Sequence, residues 1–164
     1  MRILGVDPAL SITGYGVIDF NKPKLFLVEA GIITASSKIV LPKRLDKIYS
    51  AVMRLLSETK PEVMVLEKIF SHYRHPTTSY LLGQARGVIC LACAKENIPL
   101  VEYAATRVKK AIVGCGRAAK SQVQRMVLNT LDLHTLPKYT DVTDALALAI
   151  AHCYIARADT KCVS

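Results

Sequence analysis

The sequence has no uninterrupted apolar run that approaches the length of a bilayer span, although 51% of its residues are hydrophobic. A transmembrane helix needs about 20 predominantly apolar residues in a row, so we expect none here. The N-terminus enters a strand-like run almost at once and lacks the layout of a signal peptide. The five cysteines are an odd number without a paired framework, which is typical of a reducing compartment. Together these absences predict a cytoplasmic protein.

Internal repeats, low-complexity segments and a recognisable linker are also missing from the sequence. A chain of 164 residues is most simply one domain, and it is long enough to bury a core. We assign residues 1–157 to this domain and expect residues 158–164 to form a frayed C-terminal tail.

Acidic residues are scarce, because 13 Asp and Glu stand against 22 Lys and Arg and leave a net charge of +9. The imbalance is greatest from Lys68 to Arg125, where ten basic residues accompany only two acidic ones, Glu96 and Glu102. A polyanion is the natural partner for such a stretch, and nucleic acid is the commonest polyanion. The alternative interpretation is a basic surface that serves only solubility.

The apolar pattern predicts a β-meander followed by alternating strands and helices. The first strand, Ile3 to Val6, ends on Asp7, and residues 11–14 are expected to turn the chain into the second strand. The other predicted elements are strands at 15–20, 25–34, 63–67 and 100–103 and helices at 43–59, 78–96, 105–113, 118–131 and 141–157. This order is typical of an α/β fold with a mixed sheet, antiparallel in the meander and parallel afterwards, flanked by helices.

Four acidic residues stand at the ends of predicted elements. Asp7 and Glu67 each terminate an apolar strand, and parallel neighbouring strands would place both side chains at one edge of the sheet. Asp141 and Asp144 are three residues apart at a helix start, so they point the same way. A hydrogen-bonded structural Asp at position 7 and a helix-capping Asp at position 141 are the simpler alternatives.

Clustered carboxylates repel one another, so this arrangement calls for a cation. Oxygen ligands without a Cys or His partner favour Mg²⁺ or Mn²⁺ over Zn²⁺. Two such ions about 3.5–4 Å apart activate water and stabilise a leaving oxyanion on phosphate. Beside a basic surface, the four acids therefore predict a nuclease that uses two Mg²⁺ ions per site, with Mn²⁺ able to substitute.

Seven short motifs extend this interpretation. They are Asp7-Pro-x-x-x-x-Thr-Gly-Tyr-Gly-Val, Leu66-Glu-Lys-Ile-Phe, Leu82-Gly-Gln-Ala-Arg-Gly, Glu102-Tyr-Ala, Val108-Lys-Lys, Lys120-Ser-Gln-Val and Asp141-Val-Thr-Asp-Ala-Leu-Ala. In this combination, collinear from Met1 to about Tyr154, the chain resembles the RuvC family of crossover junction endodeoxyribonucleases. One departure is Ala9, where the family usually has glycine. If that turn needs a positive φ, alanine would strain it.

The resemblance implies an RNase H-like fold, a homodimer, and Mg²⁺-dependent resolution of four-way (Holliday) DNA junctions in recombination and repair. It implies symmetric nicks that leave 5′-phosphate ends, and partnership with the branch-migration proteins RuvA and RuvB. It places the metal-binding and catalytic acids at Asp7, Glu67, Asp141 and Asp144. The family pairs its subunits through the region of the long apolar helix predicted at 78–96.

The resemblance also indicates residues that contact DNA. Phe70 matches an aromatic that stacks on an unpaired base near the junction centre, although a core phenylalanine is the alternative. Lys109 and Lys120 match basic positions near the scissile phosphate, although a single surface lysine is more often simply solvated. Tyr73 and Arg74 are candidates for contacts with the DNA backbone.

Two other functions fit part of the sequence. The turn after Gly5-Val-Asp7 also resembles the first phosphate loop of actin and sugar-kinase ATPases, but 164 residues leave no room for their second loop and adenosine pocket. A non-cleaving junction-binding scaffold would account for the basic charge but not for four acids. We interpret Cys90 and Cys93 as packing residues of an apolar helix, and His152 as either a residue at the site edge or a core or interface histidine.

Overall fold

The computed structural model describes residues 1–68 and 76–161. Its strands are β1 (Arg2–Asp7), β2 (Ile12–Asn21), β3 (Lys24–Thr34), β4 (Val63–Glu67) and β5 (Leu100–Tyr103). Its helices are α1 (Leu41–Thr59), α2 (Pro76–Lys95), α3 (Ala105–Val113), α4 (Lys120–Leu131) and α5 (Thr140–Lys161). Every predicted strand and helix is present.

The five strands form one mixed sheet in the order β3-β2-β1-β4-β5. The meander β1-β2-β3 is antiparallel, whereas β4 runs parallel to both β1 and β5. The predicted fold class, a mixed sheet flanked by helices, is therefore confirmed. The parallel pair β1 and β4 brings two carboxyl ends side by side in the middle of the sheet.

Strict alternation of side chains gives the sheet two buried faces. Ile3 of β1 joins the core that contains α3, α4 and α5, whereas Leu4 and Val6 join the core beneath α1 and α2. Helix α5 is the central helix, since all six residues from Ala145 to Ile150 are buried. A helix segment that is covered on all sides has no need of a polar stripe, which explains why the sequence from Ala145 to Ile150 is entirely apolar.

Several element boundaries differ from the prediction. Residues 12–14 belong to β2, because Gly14 pairs with Asp7 in the antiparallel ladder. Helix α1 begins at Leu41 with Pro42 in its first turn, a position that needs no N–H donor. Helix α5 continues to Lys161, beyond the helix end predicted at residue 157, and residues 162–164 lie outside the described part of the chain.

The cysteines of the described chain are free thiols. The Sγ atom of Cys93 lies 3.2 Å from Sδ of Met64 in the core beneath α2, which agrees with the predicted packing role. Within residues 1–68 and 76–161, no helix combines the length and the apolarity that a bilayer crossing requires.

Candidate active site

Asp7 and Glu67 project from the ends of the parallel strands β1 and β4. Asp7 shares a strand face with Gly5 and Ile3, and Glu67 shares one with Val65 and Val63. Both acids therefore lie on the sheet face that α3, α4 and α5 cover. The two strands pair in register from Ile3 with Val63 to Val6 with Leu66. The next residue on each strand is the acid, which places the two acids side by side as the sequence predicted.

Glycines in β1 and β2 allow the start of α5 to lie directly on the sheet. Gly5 pairs with Gly16, and Gly14 pairs with Asp7. A Cβ atom on Gly5 would overlap the carbonyl oxygen of Ala145, and one on Gly14 would overlap the backbone of Asp141. The close approach that these missing side chains permit brings Asp141 and Asp144 to the end of β1. Sequence reasoning missed this role, although glycines inside an apolar strand are a signal of close approach.

A cleft with a volume of about 370 Å³ opens at this edge of the sheet. Three of the acids line it together with two lysines: Asp7, Glu67, Asp144, Lys109 and Lys120. Its apolar floor and walls come from α3, α4 and α5: Ala105, Val108, Val123, Ala147 and Leu148. A charged cleft with an apolar lining strengthens electrostatic interactions between the groups inside it.

Neighbouring acids destabilise the charged forms of Asp7 and Glu67. The pKa of Asp7 is raised from 3.8 to about 7, first by burial and then by the charges of Asp144, Asp141 and Glu67. Burial and the charge of Asp144 likewise raise the pKa of Glu67. The site therefore holds a concentration of negative charge that a cation would relieve.

The two lysines offset part of this charge. Lys120, the first residue of α4, places its Nζ atom 2.6 Å from Oδ2 of Asp144. This hydrogen bond and the surrounding acids raise the pKa of Lys120, which keeps it protonated. Lys109 of α3 opposes the rise in the pKa of Glu67. Both predicted lysines thus lie in the cleft with the acids.

The donor set suits a hard divalent cation, although the side chains do not form a closed cage in this conformation. In the part of the chain that the structure describes, no group of three or more His, Cys, Asp or Glu side chains is arranged to hold a metal ion. The charge and the oxygen donors nevertheless fit Mg²⁺ or Mn²⁺, and they do not fit a soft metal. Lys120 donates a hydrogen bond to one carboxylate oxygen of Asp144, so metal ligation and this ion pair compete for the same carboxylate.

The turn after Asp7 is fixed by Thr13, a buried residue. The Thr13 hydroxyl donates to the carbonyl oxygen of Ala9 at 2.6 Å and accepts from the Ala9 amide at 3.2 Å. Ala9 is absent from the positions with positive φ, which in the described chain are Lys60, Asn97, Asp132 and Gly114. Alanine in place of the family's usual glycine therefore introduces no left-handed strain at this turn.

Three predicted DNA-contact residues, Phe70, Tyr73 and Arg74, lie outside the described residues. His152 is half-buried, and its Nδ1 atom lies 2.9 Å from the hydroxyl oxygen of Tyr103. Burial lowers the pKa of His152, which favours the neutral ring. Since His152 does not line the cleft, the structure favours its assignment as a hydrogen-bonded core residue.

Both the sequence and the fold match known proteins. A family model described as crossover junction endodeoxyribonuclease RuvC matches residues 3–152. A crossover junction endodeoxyribonuclease RuvC from Rhodopirellula baltica is 45% identical over 154 residues, covering 94% of this chain and 86% of that protein. The structure of Thermus thermophilus RuvC superposes with a TM-score of 0.89 at 31% identity and covers 98% of both chains. The same protein in complex with a Holliday junction substrate gives a TM-score of 0.92 at 30% identity, over 98% of this chain and 97% of that one.

Proposed function

The chain belongs to the crossover junction endodeoxyribonuclease RuvC family, and on this premise we propose that it resolves four-way DNA junctions by metal-dependent nicking. The observation that carries the proposal is the cleft in which Asp7, Glu67 and Asp144 lie beside Lys109 and Lys120. Carboxylates and lysines that line one cleft suit a divalent cation and a phosphodiester together.

We infer that Asp7, Glu67, Asp141 and Asp144 hold Mg²⁺, with Mn²⁺ able to replace it. Bound divalent ions supply activation of a water nucleophile and stabilisation of charge on the departing oxygen. The oxygen of water adds to phosphorus while the bond from phosphorus to the 3′-oxygen breaks, which leaves a 5′-phosphate and a 3′-hydroxyl. Both ends can be sealed by a ligase.

The chain's own residues prepare the cleft for this reaction. Lys120 is kept protonated by Asp144, so it is charged when a phosphate approaches and it offsets the negative charge of the transition state. Lys109 performs the same task beside Glu67. The apolar surface of α3, α4 and α5 limits the access of water and thereby strengthens these interactions.

We propose a homodimer that pairs through α2. This helix exposes two large apolar side chains, Tyr80 at 65% and Leu91 at 49%. Their spacing of 11 residues places both on one face of the helix, as a partner surface requires. A two-fold dimer presents two sites to a four-way junction, so two strands can be nicked symmetrically. Base stacking by Phe70, backbone contacts by Tyr73 and Arg74, partnership with RuvA and RuvB, and action in the cytoplasm remain parts of the same proposal.

A nicking assay on a synthetic mobile junction tests the function directly. We expect the wild-type protein to cut two opposed strands in Mg²⁺, to cut in Mn²⁺, and to be inactive with a chelator. Treatment with ligase should reseal the nicks if the ends carry 5′-phosphates. Binding without cutting in every cation would instead identify a junction-binding scaffold.

The matched variant is Asp7→Asn, which removes one carboxylate without a change in size. We expect cleavage to be abolished, while the junction Kd measured by gel shift stays within about threefold, less than 1 kcal/mol of binding free energy. The reason is that this charge serves metal binding and not DNA contact. A variant that loses its circular dichroism spectrum or its junction affinity would contradict this assignment.

A further inference from the structure

Helix α2 carries an arginine that contacts the strand end bearing Glu67. Arg86 is 11% exposed, and its Nη1 atom donates a hydrogen bond of 2.8 Å to the main-chain carbonyl oxygen of Glu67. Its Nη2 atom forms an ion pair with the Glu102 carboxylate on β5. One guanidinium thus joins α2 to the ends of both β4 and β5.

This contact lies where the sheet supports Glu67 from one side only. The ladder between β1 and β4 ends at the pair Val6 and Leu66, one residue before Glu67. On the other side, Glu67 pairs with Tyr103, and the amide of Lys68 donates to the Tyr103 carbonyl at 2.8 Å. The carbonyl of Glu67 takes its hydrogen bond from Arg86, at the point where the chain leaves β4.

Glu67 needs such support because its carboxylate lies in an unfavourable field. It lines the cleft together with the carboxylates of Asp7 and Asp144, so a strand end that could move would carry this carboxylate away from its neighbours. Arg86 contacts Glu67 at its main-chain carbonyl oxygen, so its influence on Glu67 runs through the backbone.

We propose that Arg86 is a positioning residue for Glu67: its hydrogen bond to the main chain holds the end of β4 so that the carboxylate stays in the cleft. The inference rests on the proposed nuclease function and names a residue of that site to which no role had been given. Glu102 has the lesser task of orienting the guanidinium, because its carboxylate binds Arg86 and is 41% exposed.

The test compares Arg86→Met with Glu102→Gln. Arg86→Met removes the bond to Glu67, and we expect kcat for junction nicking to fall by about 10–100-fold, the effect typical of residues that orient metal ligands. Glu102→Gln keeps that bond and removes only the ion pair, so its kcat should stay within about threefold of wild type. Arg54→Met, at an exposed arginine of α1, is the control for the same chemical change.

Two measurements that do not depend on cleavage separate positioning from general destabilisation. The rise in melting temperature on addition of Mn²⁺ should be smaller for Arg86→Met than for wild type and Glu102→Gln. Its junction Kd in Ca²⁺ should match that of wild type. Arg86→Lys, which keeps the charge but not the two-pronged geometry, should also lose cleavage and serves as the second variant if the methionine variant does not fold.

The outcomes distinguish failure of the proposed nuclease function from failure of the positioning role of Arg86. Failure of the wild-type protein to nick any junction overturns the proposed function. If the wild type nicks junctions and both Arg86→Met and Arg86→Lys retain its kcat, the positioning role alone is overturned. Equal losses in Arg86→Met and Glu102→Gln overturn it as well, because the ion pair and not the bond to Glu67 would then be the cause.

Discussion

Asp7 is the residue in which burial and charge conflict most directly with ionisation. Its pKa of about 7 means that the folded protein favours the protonated acid relative to the unfolded chain. The stability contributed by this proton is fully present below the ordinary pKa of 3.8 and is lost as the pH rises through 7. In the metal-free protein, Asp7 therefore opposes folding at neutral pH.

This conflict predicts the pH dependence of stability without metal. We expect the melting temperature of the wild-type protein in chelator to fall between pH 5 and pH 8, and the fall to be smaller in Asp7→Asn. With allowance for solvent screening, the substitution should stabilise the metal-free protein at pH 8 by about 1–2 kcal/mol. That corresponds to roughly 2–8 °C in melting temperature. If melting temperature falls with pH at the same rate in wild type and Asp7→Asn, repulsion at Asp7 is absent.

Lys120 is the cation that offsets this repulsion in the structure. Lys120→Met keeps the length of the side chain and removes its charge, and we expect kcat to fall by about 10–100-fold, since the lysine acts where charge develops on the phosphate. Loss of one phosphate contact should reduce the slope of log K against log salt by about 1. Lys95→Met, at an exposed lysine at the end of α2, should change neither quantity. A Lys120→Met enzyme with wild-type kcat would remove Lys120 from the reaction.

At the scale of elements, the contact between α5 and the glycine-bearing strands decides whether a site exists. Helix α5 supplies two of the four acids and packs against β1 and β2, where Gly5, Gly14 and Gly16 leave room for it. Side chains at these positions would meet the backbone of α5 or the Leu146 side chain. The acids of α5 reach those of the sheet because of this close packing.

Gly5→Ala tests the contact. Its added methyl would overlap the Ala145 carbonyl oxygen, and we expect a loss of about 2–3 kcal/mol in the free energy of unfolding, as for overpacked cores. Cleavage should fall further than the folded fraction does, because the added methyl would push α5 off the sheet and move Asp141 and Asp144 away from Asp7. Gly87→Ala is the control for the denaturation measurement, because a methyl there would meet nothing within 4 Å in this chain. Chemical denaturation and the nicking assay together report both effects, and an unchanged Gly5→Ala protein would contradict the packing argument.

At the scale of the whole molecule, the carboxyl ends of the strands and helix α2 have different roles. The sheet edge bears the proposed chemistry, whereas α2 bears an apolar surface and, through Arg86, a direct contact with the strand end of Glu67. A partner packed on α2 would therefore lie close to the element that positions one of the acids. This arrangement suits an enzyme whose two sites act on one symmetric substrate.

Leu91→Glu tests the proposed dimer. We expect this charge on α2 to convert the protein to a monomer at micromolar concentration, as measured by light scattering after size exclusion, because a buried unpaired charge opposes association. The control is Leu136→Glu, since Leu136 is exposed to a similar degree, 47% against 49%, but lies outside α2. A Leu91→Glu dimer would place the subunit interface elsewhere.

The sequence by itself determined the elements and the identity of the acids. Apolar runs with strand periodicity ended at Asp7 and Glu67, and the helical pattern began at Asp141, because burial of one face and the termination of an element are local properties of the chain. The motifs around these acids were sufficient to identify the family of the chain. The strand order was not readable from periodicity, yet the meander followed by alternation limited it to a mixed sheet.

Tertiary structure alone decided how the acids meet and what holds them. The extension of β2 through residues 12–14 depends on the pairing of Gly14 with Asp7, and the bond from Lys120 to Asp144 joins two helices. The contact of Arg86 with Glu67 crosses from a helix to a strand end. Each is an interaction between residues far apart in the chain, whose energy depends on distance in space, and a linear pattern carries no record of that distance.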